Sequence, residues 1–239
     1  MELHICHLYP NLLNVYGDVG NIQILKRRAE KRGIQVVLHS HGVGEPFDAD
    51  TYDIVILGGG QDFETKMVLA DLKEKKESLS AYIEKEGVLL AIGSGYQILG
   101  RSFVLSDGQE EEGLSLFPIT TTPNEKRFVG NVAIDAGEFP IVGFENHGGQ
   151  THIGEGKPLG RVLSGYGNNG TDGTEGMVYK NTFCSFLHGP VLSKSPEFAD
   201  LLLRKALERR YGAAELSPLD DTWEKKARAH ILEKLNITE

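Results

Sequence analysis

Val88-Leu89-Leu90-Ala91-Ile92 is an apolar run of strand length that stops at Gly93-Ser94-Gly95, and helix-compatible residues follow as far as Gly100. A strand that turns sharply into a helix is how a nucleophile elbow is written. Such a turn brings together the side chains two residues before and two residues after the nucleophile, so both must be small. Ala91 and Gly95 are a pair of this kind, and they flank position 93. Position 93 is a glycine, with no side chain to attack a substrate. An elbow centred on Ser94 would put Ile92 and Tyr96 in the tight positions, and both are too bulky. The turn is therefore shaped for a nucleophile that the sequence does not carry.

Other residues could serve such a site. His188 follows the apolar run Phe183–Leu187 and precedes Gly189-Pro190, the best placed of the eight histidines to act as general base. A histidine capping a strand-end turn fits the position equally well. Gly58-Gly59-Gly60 ends another apolar run and offers bare backbone N–H groups at Gly59 and Gly60 for an oxyanion or a carboxylate. A flexible strand-to-helix turn is the plainer reading. In Phe144-Glu145-Asn146-His147-Gly148-Gly149, His147 is either a base or a turn residue. Arg127 could pair with a carboxylate, or simply be a surface arginine. His39 and His41 have metal-like spacing without a third ligand nearby, so no metal is expected. Gly93-Ser94-Gly95-Tyr96-Gln97-Ile98 lacks the third glycine of a dinucleotide fingerprint, and there is no glycine-rich phosphate loop.

The 239 residues, 40% of them hydrophobic, can build one large core or two unequal lobes. A net charge of −9 argues against a general nucleic-acid or anionic-membrane binder. The two cysteines, Cys6 and Cys184, form neither a disulfide framework nor a metal motif, which fits a reducing cytoplasm. No signal peptide and no membrane-spanning run is expected.

The periodicity predicts a strand over Glu2–Tyr9 and a helix capped by Asp18, with Ile22, Leu25 and Ala29 on one face and Gly33 as stop. Strands follow at Ile34–Leu38 and Tyr52–Leu57, then a helical stretch from Asp62 to Glu86, in one or two pieces, then the elbow strand. Apolar strands alternating with helices imply a parallel sheet covered on both faces, provided the weak second crossover also carries a helical turn. Ligands then bind beyond the strands' carboxyl ends, where Gly17-Asp18, Gly58–Gly60 and Gly93–Gly95 fall. After Gly100 come shorter expected strands at Leu116–Thr122, Phe128–Ile134, Pro140–Phe144, Arg161–Gly165, Met177–Tyr179 and Thr182–Leu187. They read as a β-rich lobe or as an antiparallel extension of the same sheet. Two helices close the chain. One carries Phe198, Leu202 and Ala206; the other carries a stripe of Trp223, Ala227, Ile231 and Leu235 behind an Asp221/Glu224 capping box. A single domain over 1–239 is expected, with a β-α-β half at 1–100, a β-rich half at 101–195 and terminal helices at 196–239.

Together these segments resemble the GatD family, the glutamine amidotransferase subunit of lipid II isoglutaminyl synthase, in the cobyric-acid-synthase branch of class I glutamine amidotransferases. The resemblance covers nearly the whole chain. It rests on Leu57-Gly58-Gly59-Gly60, Gly95-Tyr96-Gln97-Ile98-Leu99-Gly100, Gly143 to Gly149, Gly165-Tyr166-Gly167-Asn168-Asn169, Glu175-Gly176, Tyr179-Lys180-Asn181 and Leu187-His188-Gly189-Pro190. It implies a flavodoxin-like, mostly parallel α/β sheet flanked by helices. It further implies a cysteine on the elbow that attacks the side-chain amide of glutamine, with His188 shuttling the proton and backbone amides holding the oxyanion. Arg127 matches a family arginine expected near the site entrance and the substrate. Ammonia would pass to a cytoplasmic partner in a heterodimer, a Mur-ligase-like ATP-dependent subunit called MurT. That partner amidates the D-glutamate α-carboxylate of lipid II to D-isoglutamine in peptidoglycan synthesis. No cofactor is implied for this subunit; ATP and any metal belong to the partner. Pro190 agrees with the family in lacking an acid two residues after the histidine, and Asp18 is a candidate for a third catalytic group.

Where the family has Cys-Gly-Gly-Tyr-Gln, this chain has Gly93-Ser94-Gly95-Tyr96-Gln97. Cys184, four residues before His188 on the same expected strand, is badly placed to supply the thiol. Three readings stay open: an engineered glycine, a natural non-hydrolysing subunit that still binds its partner, or Ser94 as an altered nucleophile. The last is disfavoured, because Ser94 would point elsewhere on the turn and could instead cap the following helix. A cobyrinate amidase with a fused synthetase is disfavoured too, since no ATP-binding segment precedes the domain.

Overall fold

The computed structural model describes residues 1–212 and 215–237. In chain order, the first half runs β1 (Glu2–Leu8), α1 (Val19–Glu30), β2 (Gln35–His41), β3 (Ile54–Leu57), α2 (Asp62–Glu74), α3 (Lys76–Glu84), β4 (Val88–Ile92) and α4 (Ser94–Ile98). Strands β5 (Ser102–Val104), β6 (Glu110–Glu112), β7 (Thr120–Asp135), β8 (Pro140–His152), β9 (Gly160–Ser164), β10 (Thr174–Glu175), β11 (Met177–Tyr179) and β12 (Thr182–Ser185) come next. Helices α5 (Pro196–Tyr211) and α6 (Thr222–Lys234) end the described chain.

One six-stranded sheet has the order β11-β12-β4-β3-β1-β2, parallel throughout except for the β11–β12 pair. Side chains on a strand alternate between faces, and here both faces are covered. Leu3, Ile5, Ile54, Ile56, Val88, Leu90 and Ile92 pack toward α1 and α5. Cys6, Leu8, Val55, Leu57, Leu89, Ala91 and Cys184 pack toward α2, α3 and α4. That double burial is why β3 and β4 read as unbroken apolar runs. The register matters for the site: Leu57 pairs with Ala91, and Ser185 pairs with Ile92. The segments beginning at Gly58, Gly93 and Phe186 therefore leave the sheet side by side at one edge.

The second sheet is built on the long antiparallel pair β7–β8, with β9 and β5 pairing with β7, β10 beyond β9 and β6 beyond β5. Its inner residues Val132, Ile134 and Ile141 join the core on the α1/α5 side. A bridge between Phe144 and His188 links it to the first sheet, through Phe144 N–H to His188 O at 3.2 Å and His188 N–H to Phe144 O at 2.8 Å.

Several sequence expectations need correction. Residues 42–53, the second crossover, hold no helix: Gly42, Gly44 and Pro46 break it, and Phe47, Ala49 and Tyr52 pack into the core instead. Leu116–Thr122 and Phe128–Ile134 are not separate strands; Thr120–Asp135 is one strand, with a register shift between Pro123 and Phe128. β11 and β12 complete the first sheet, while β5 to β10 form the second. Only the second half of the stripe expected on α6 packs: Ile231 and Leu235 lie partly buried beside the buried Arg228 and Leu232, whereas Trp223 is 76% exposed. Asp221 does not cap α6 with its side chain. Its carboxylate pairs with Arg28 at 2.6 Å, and Arg28 also binds Asp200, so one buried guanidinium joins α1, α5 and the entry to α6.

Candidate active site

Gly93 sits between β4 and α4 with φ 60° and ψ −120°. L-residues rarely occupy that region, and non-glycine examples cluster at functional turns. The flanking positions are as tight as an elbow requires. A Cβ on Gly95 would stand 2.6 Å from both Leu57 O and Gly58 O, and Ala91 is fully buried.

The direction of the missing side chain is the informative quantity. A Cβ on Gly93 would lie 3.0 Å from His188 Cε1, 3.6 Å from His188 Nε2 and 3.7 Å from Gly59 Cα. A side chain there would face the imidazole edge. Ser94 behaves differently: its Oγ accepts the Gly60 N–H at 2.9 Å. It neither caps α4 nor points at the histidine through any hydrogen bond among the described residues.

His188 is 2% exposed. Burial, with His147 and the Arg127 guanidinium nearby, pushes its pKa down to about 3, so the ring is a neutral base at ordinary pH. The Tyr16 ring lies over it, centroids 4.0 Å apart. His188 Nδ1 has no hydrogen-bond partner among the described residues.

The bare N–H donors expected at Gly59 and Gly60 are not bare. Gly59 N–H goes to Asp18 Oδ2 at 2.9 Å and Gly60 N–H to Ser94 Oγ, as a buried backbone donor requires a partner. Asp18 does not cap α1 through its side chain either; the Val19 N–H is taken by Asn14 Oδ1 at 2.9 Å. Asp18 is buried, its carboxyl pushed up to about 6 by desolvation against the pull of the Gly59 N–H. No hydrogen bond joins it to His188 among the described residues. It holds the 58–60 turn against the elbow. The donors left for an oxyanion are the first-turn amides of α4, Ser94 and Gly95, which have no acceptor within the helix.

Gly59, Gly60, Gly93, Ser94, Arg127 and His188 line one cavity of about 360 Å³, together with Tyr16, Gln97, Asn146 and His147. That is room for a small amino acid. Arg127 is an exposed residue on the cavity wall, tied to Asn146 through Nε to Oδ1 at 2.5 Å and Nη2 to O at 3.2 Å. His147 is buried, stacked on Phe186 with centroids 4.0 Å apart, and its Nδ1 meets Gly149 O at 3.1 Å. Cys6 and Cys184 are buried in the core, and burial raises both thiols, so neither is a reactive thiolate. No cluster of three metal-ligating residues occurs among the described residues. The sequence offered no sign of Tyr16 and Asn146 as cavity residues beyond their places in a strand-end loop and in the Phe144–Gly149 segment.

A sharp strand-to-helix turn facing a buried neutral histidine across a small cavity defines the plan of an enzyme that works through an elbow nucleophile. The chain belongs to the CobB/CobQ-like glutamine amidotransferase family, whose domain matches residues 4–196. It is 44% identical over 215 residues, 88% of this chain and 83% of the other, to lipid II isoglutaminyl synthase (glutamine-hydrolyzing) subunit GatD of Streptococcus pneumoniae. The subunit of that name from Staphylococcus aureus is 40% identical over 236 residues, 98% of this chain and 97% of the other. The fold is that of a glutamine amidotransferase from Thermotoga maritima, with a TM-score of 0.52 at 15% identity, covering 96% of this chain and 93% of that one. The glutaminase domain of Trypanosoma brucei CTPS, solved with acivicin bound, gives a TM-score of 0.52 at 10% identity over 90% and 96% of the two chains.

Proposed function

We propose that this chain is the glutamine-binding subunit of a lipid II isoglutaminyl synthase, built on the glutaminase plan but without its nucleophile. The carrying observation is that a side chain at position 93 would meet the edge of His188. With a thiol at that position, sulfur attacks the glutamine carboxamide carbon and His188 Nε2 takes the thiol proton. The first-turn amides of α4 receive the oxyanion. The histidine returns the proton to the departing ammonia, and water then hydrolyses the glutamyl thioester. Gly59 and Gly60 contribute by bringing bare backbone up to the elbow. Arg127 meets the substrate at the mouth. Ammonia passes, within a cytoplasmic heterodimer, to a MurT-like ATP-dependent ligase subunit, which amidates the D-glutamate α-carboxylate of lipid II. Lipid II is reached through the partner.

As it stands, the chain has no group at 93 to form the thioester. Ser94 is not a substitute, since its hydroxyl is engaged with Gly60 and sits one residue along the turn. This favours a second reading of the same complex, in which the chain is a catalytically silent subunit that binds and regulates the ligase. Its specific support is the backbone at 93, where glycine is the relaxed residue.

Co-purification with a Mur-ligase-like subunit tests both. The expected result is a one-to-one complex that amidates lipid II with ammonium salts. With glutamine as donor it is active only as Gly93→Cys. Glutamine-driven amidation by the unaltered chain overturns the silent reading. Failure of both forms to bind any such ligase overturns the assignment.

A further inference from the structure

Pro190, two residues after His188, has no acid to offer the histidine, and Asp18, whose Oδ2 takes the Gly59 N–H, makes no hydrogen bond to His188 among the described residues. We infer that Glu175 is the positioning residue of this site, a buried carboxyl that holds the end of β12 so that His188 stands against position 93. The inference rests on reading those two positions as the reacting pair.

Glu175 is completely buried. Its Oε1 accepts the Phe186 N–H at 2.7 Å, and Ser185 Oγ lies 3.3 and 3.2 Å from its two oxygens. Ser185 Oγ in turn accepts the Leu187 N–H at 3.0 Å, and Ser185 O accepts the Gly93 N–H at 2.9 Å. One carboxyl thus governs the three residues that lead to His188, and through Ser185 it reaches the elbow itself. The other side of the clamp closes on the elbow helix. Gly176 is held by Asn168 through both backbone groups, at 2.9 and 3.0 Å, and Tyr96 of α4 donates its hydroxyl to Asn168 Oδ1 at 3.3 Å. No cation pairs with Glu175 among the described residues, and an acid so placed is costly to bury. Burial and the neighbouring Glu145 push its carboxyl up to about 8, against the pull of the Phe186 N–H and the Ser185 hydroxyl. An apolar residue would fill the space at lower cost but could not take the Phe186 N–H.

The test compares Glu175→Gln, which keeps an acceptor oxygen, with Glu175→Leu, which keeps only bulk. Amide hydrogen exchange in the otherwise unaltered chain is expected to lose protection at Phe186, Leu187 and Gly93 in Glu175→Leu and to keep it in Glu175→Gln. In a Gly93→Cys background, Glu175→Leu is expected to lower glutaminase kcat roughly 100-fold with little change in KM, the scale for misplacing a reacting group; Glu175→Gln is expected to restore most of the rate. If Glu175→Leu does not fold, Ser185→Ala removes the hydroxyl link at small volume change. It is expected to lower kcat and to expose the Leu187 amide. Unchanged kcat and protection in the apolar variant, or in Ser185→Ala when that stands in for it, overturns the inference. So does equal damage in the glutamine and leucine variants. Were Gly93→Cys itself inactive, the reacting pair would be misread, and the exchange pattern alone would judge the clamp: protection kept in Glu175→Leu overturns it.

Discussion

Adding a single Cβ at position 93 probes the elbow directly. Two costs follow from the geometry. The backbone at φ 60°, ψ −120° strains any L-residue, by about 1–3 kcal/mol. The new carbon also meets His188 Cε1 at 3.0 Å, so the ring must yield by a few tenths of an ångström, while the approach to Gly59 Cα at 3.7 Å is ordinary contact. Gly93→Ala is therefore expected to cost about 2–3 kcal/mol, near the upper part of that strain range, and to lower Tm by roughly 4–12 °C for a chain of this size. Urea denaturation followed by circular dichroism measures it. Gly44→Ala is the control, since Gly44 has φ 82° with nothing within 4 Å of its Cβ; it reports backbone strain alone. The contact with His188 is separable by a double-mutant cycle, because His188→Ala removes the ring that the new carbon meets. Gly93→Ala should cost less in the His188→Ala background. A cost no greater than that of Gly44→Ala, with zero coupling to His188, would refute the inference that position 93 faces the histidine.

Other expectations follow from the same geometry. Gly95→Ala forces a Cβ to 2.6 Å from two backbone carbonyl oxygens, so it should destabilise by about 3 kcal/mol or more and disrupt folding before Gly93→Ala does; thermal denaturation decides. Asp18 favours its neutral form in the folded state, so its stabilising contribution, present below pH 3.8, is lost as pH rises through about 6. Asp18→Asn, neutral throughout, should be the more stable form at pH 7 by about 2–3 kcal/mol, and the gain should vanish near pH 4; urea midpoints at the two pH values measure it. His188 has the opposite sign. The unfolded chain takes up a proton near pH 6.5 that the folded chain refuses until about pH 3, so stability falls as pH drops through that window. His188→Gln should flatten the slope of stability between those values, although His7, lowered to about 4 by burial, leaves part of it.

The parallel sheet was legible because β3 and β4 are buried on both faces and so carry unbroken apolar runs. Position 93 was legible from Ala91 and Gly95, since the steric demand of the turn acts on close neighbours in sequence. The hydrogen bonds were not. Asp18 reads as a helix cap, yet its partner Gly59 is 41 residues away, and nothing local announces it. Asp221 was likewise drawn from its expected cap by Arg28, 193 residues distant. Gly59 and Gly60 looked like free donors because sequence records their missing side chains but not the acceptors that fold onto them. The first half of the α6 stripe failed for a related reason: Ile231 and Leu235 do pack beside Leu232, but toward the helix start the buried residue is Arg228, drawn in by Glu197 at 2.6 Å, and Trp223 stays exposed.

Glutamine hydrolysis by three forms of the chain tests the central claim most directly. Ammonia and glutamate are measured for the unaltered chain, for Gly93→Cys and for Gly93→Cys with His188→Ala, each alone and with a Mur-ligase-like partner. The expected result is no turnover above background in the first, turnover in the second accompanied by a covalent glutamyl adduct at residue 93, and loss of that turnover in the third. Hydrolysis by the unaltered chain, abolished by Ser94→Ala, would contradict the account, because the nucleophile would then stand one residue further along the turn.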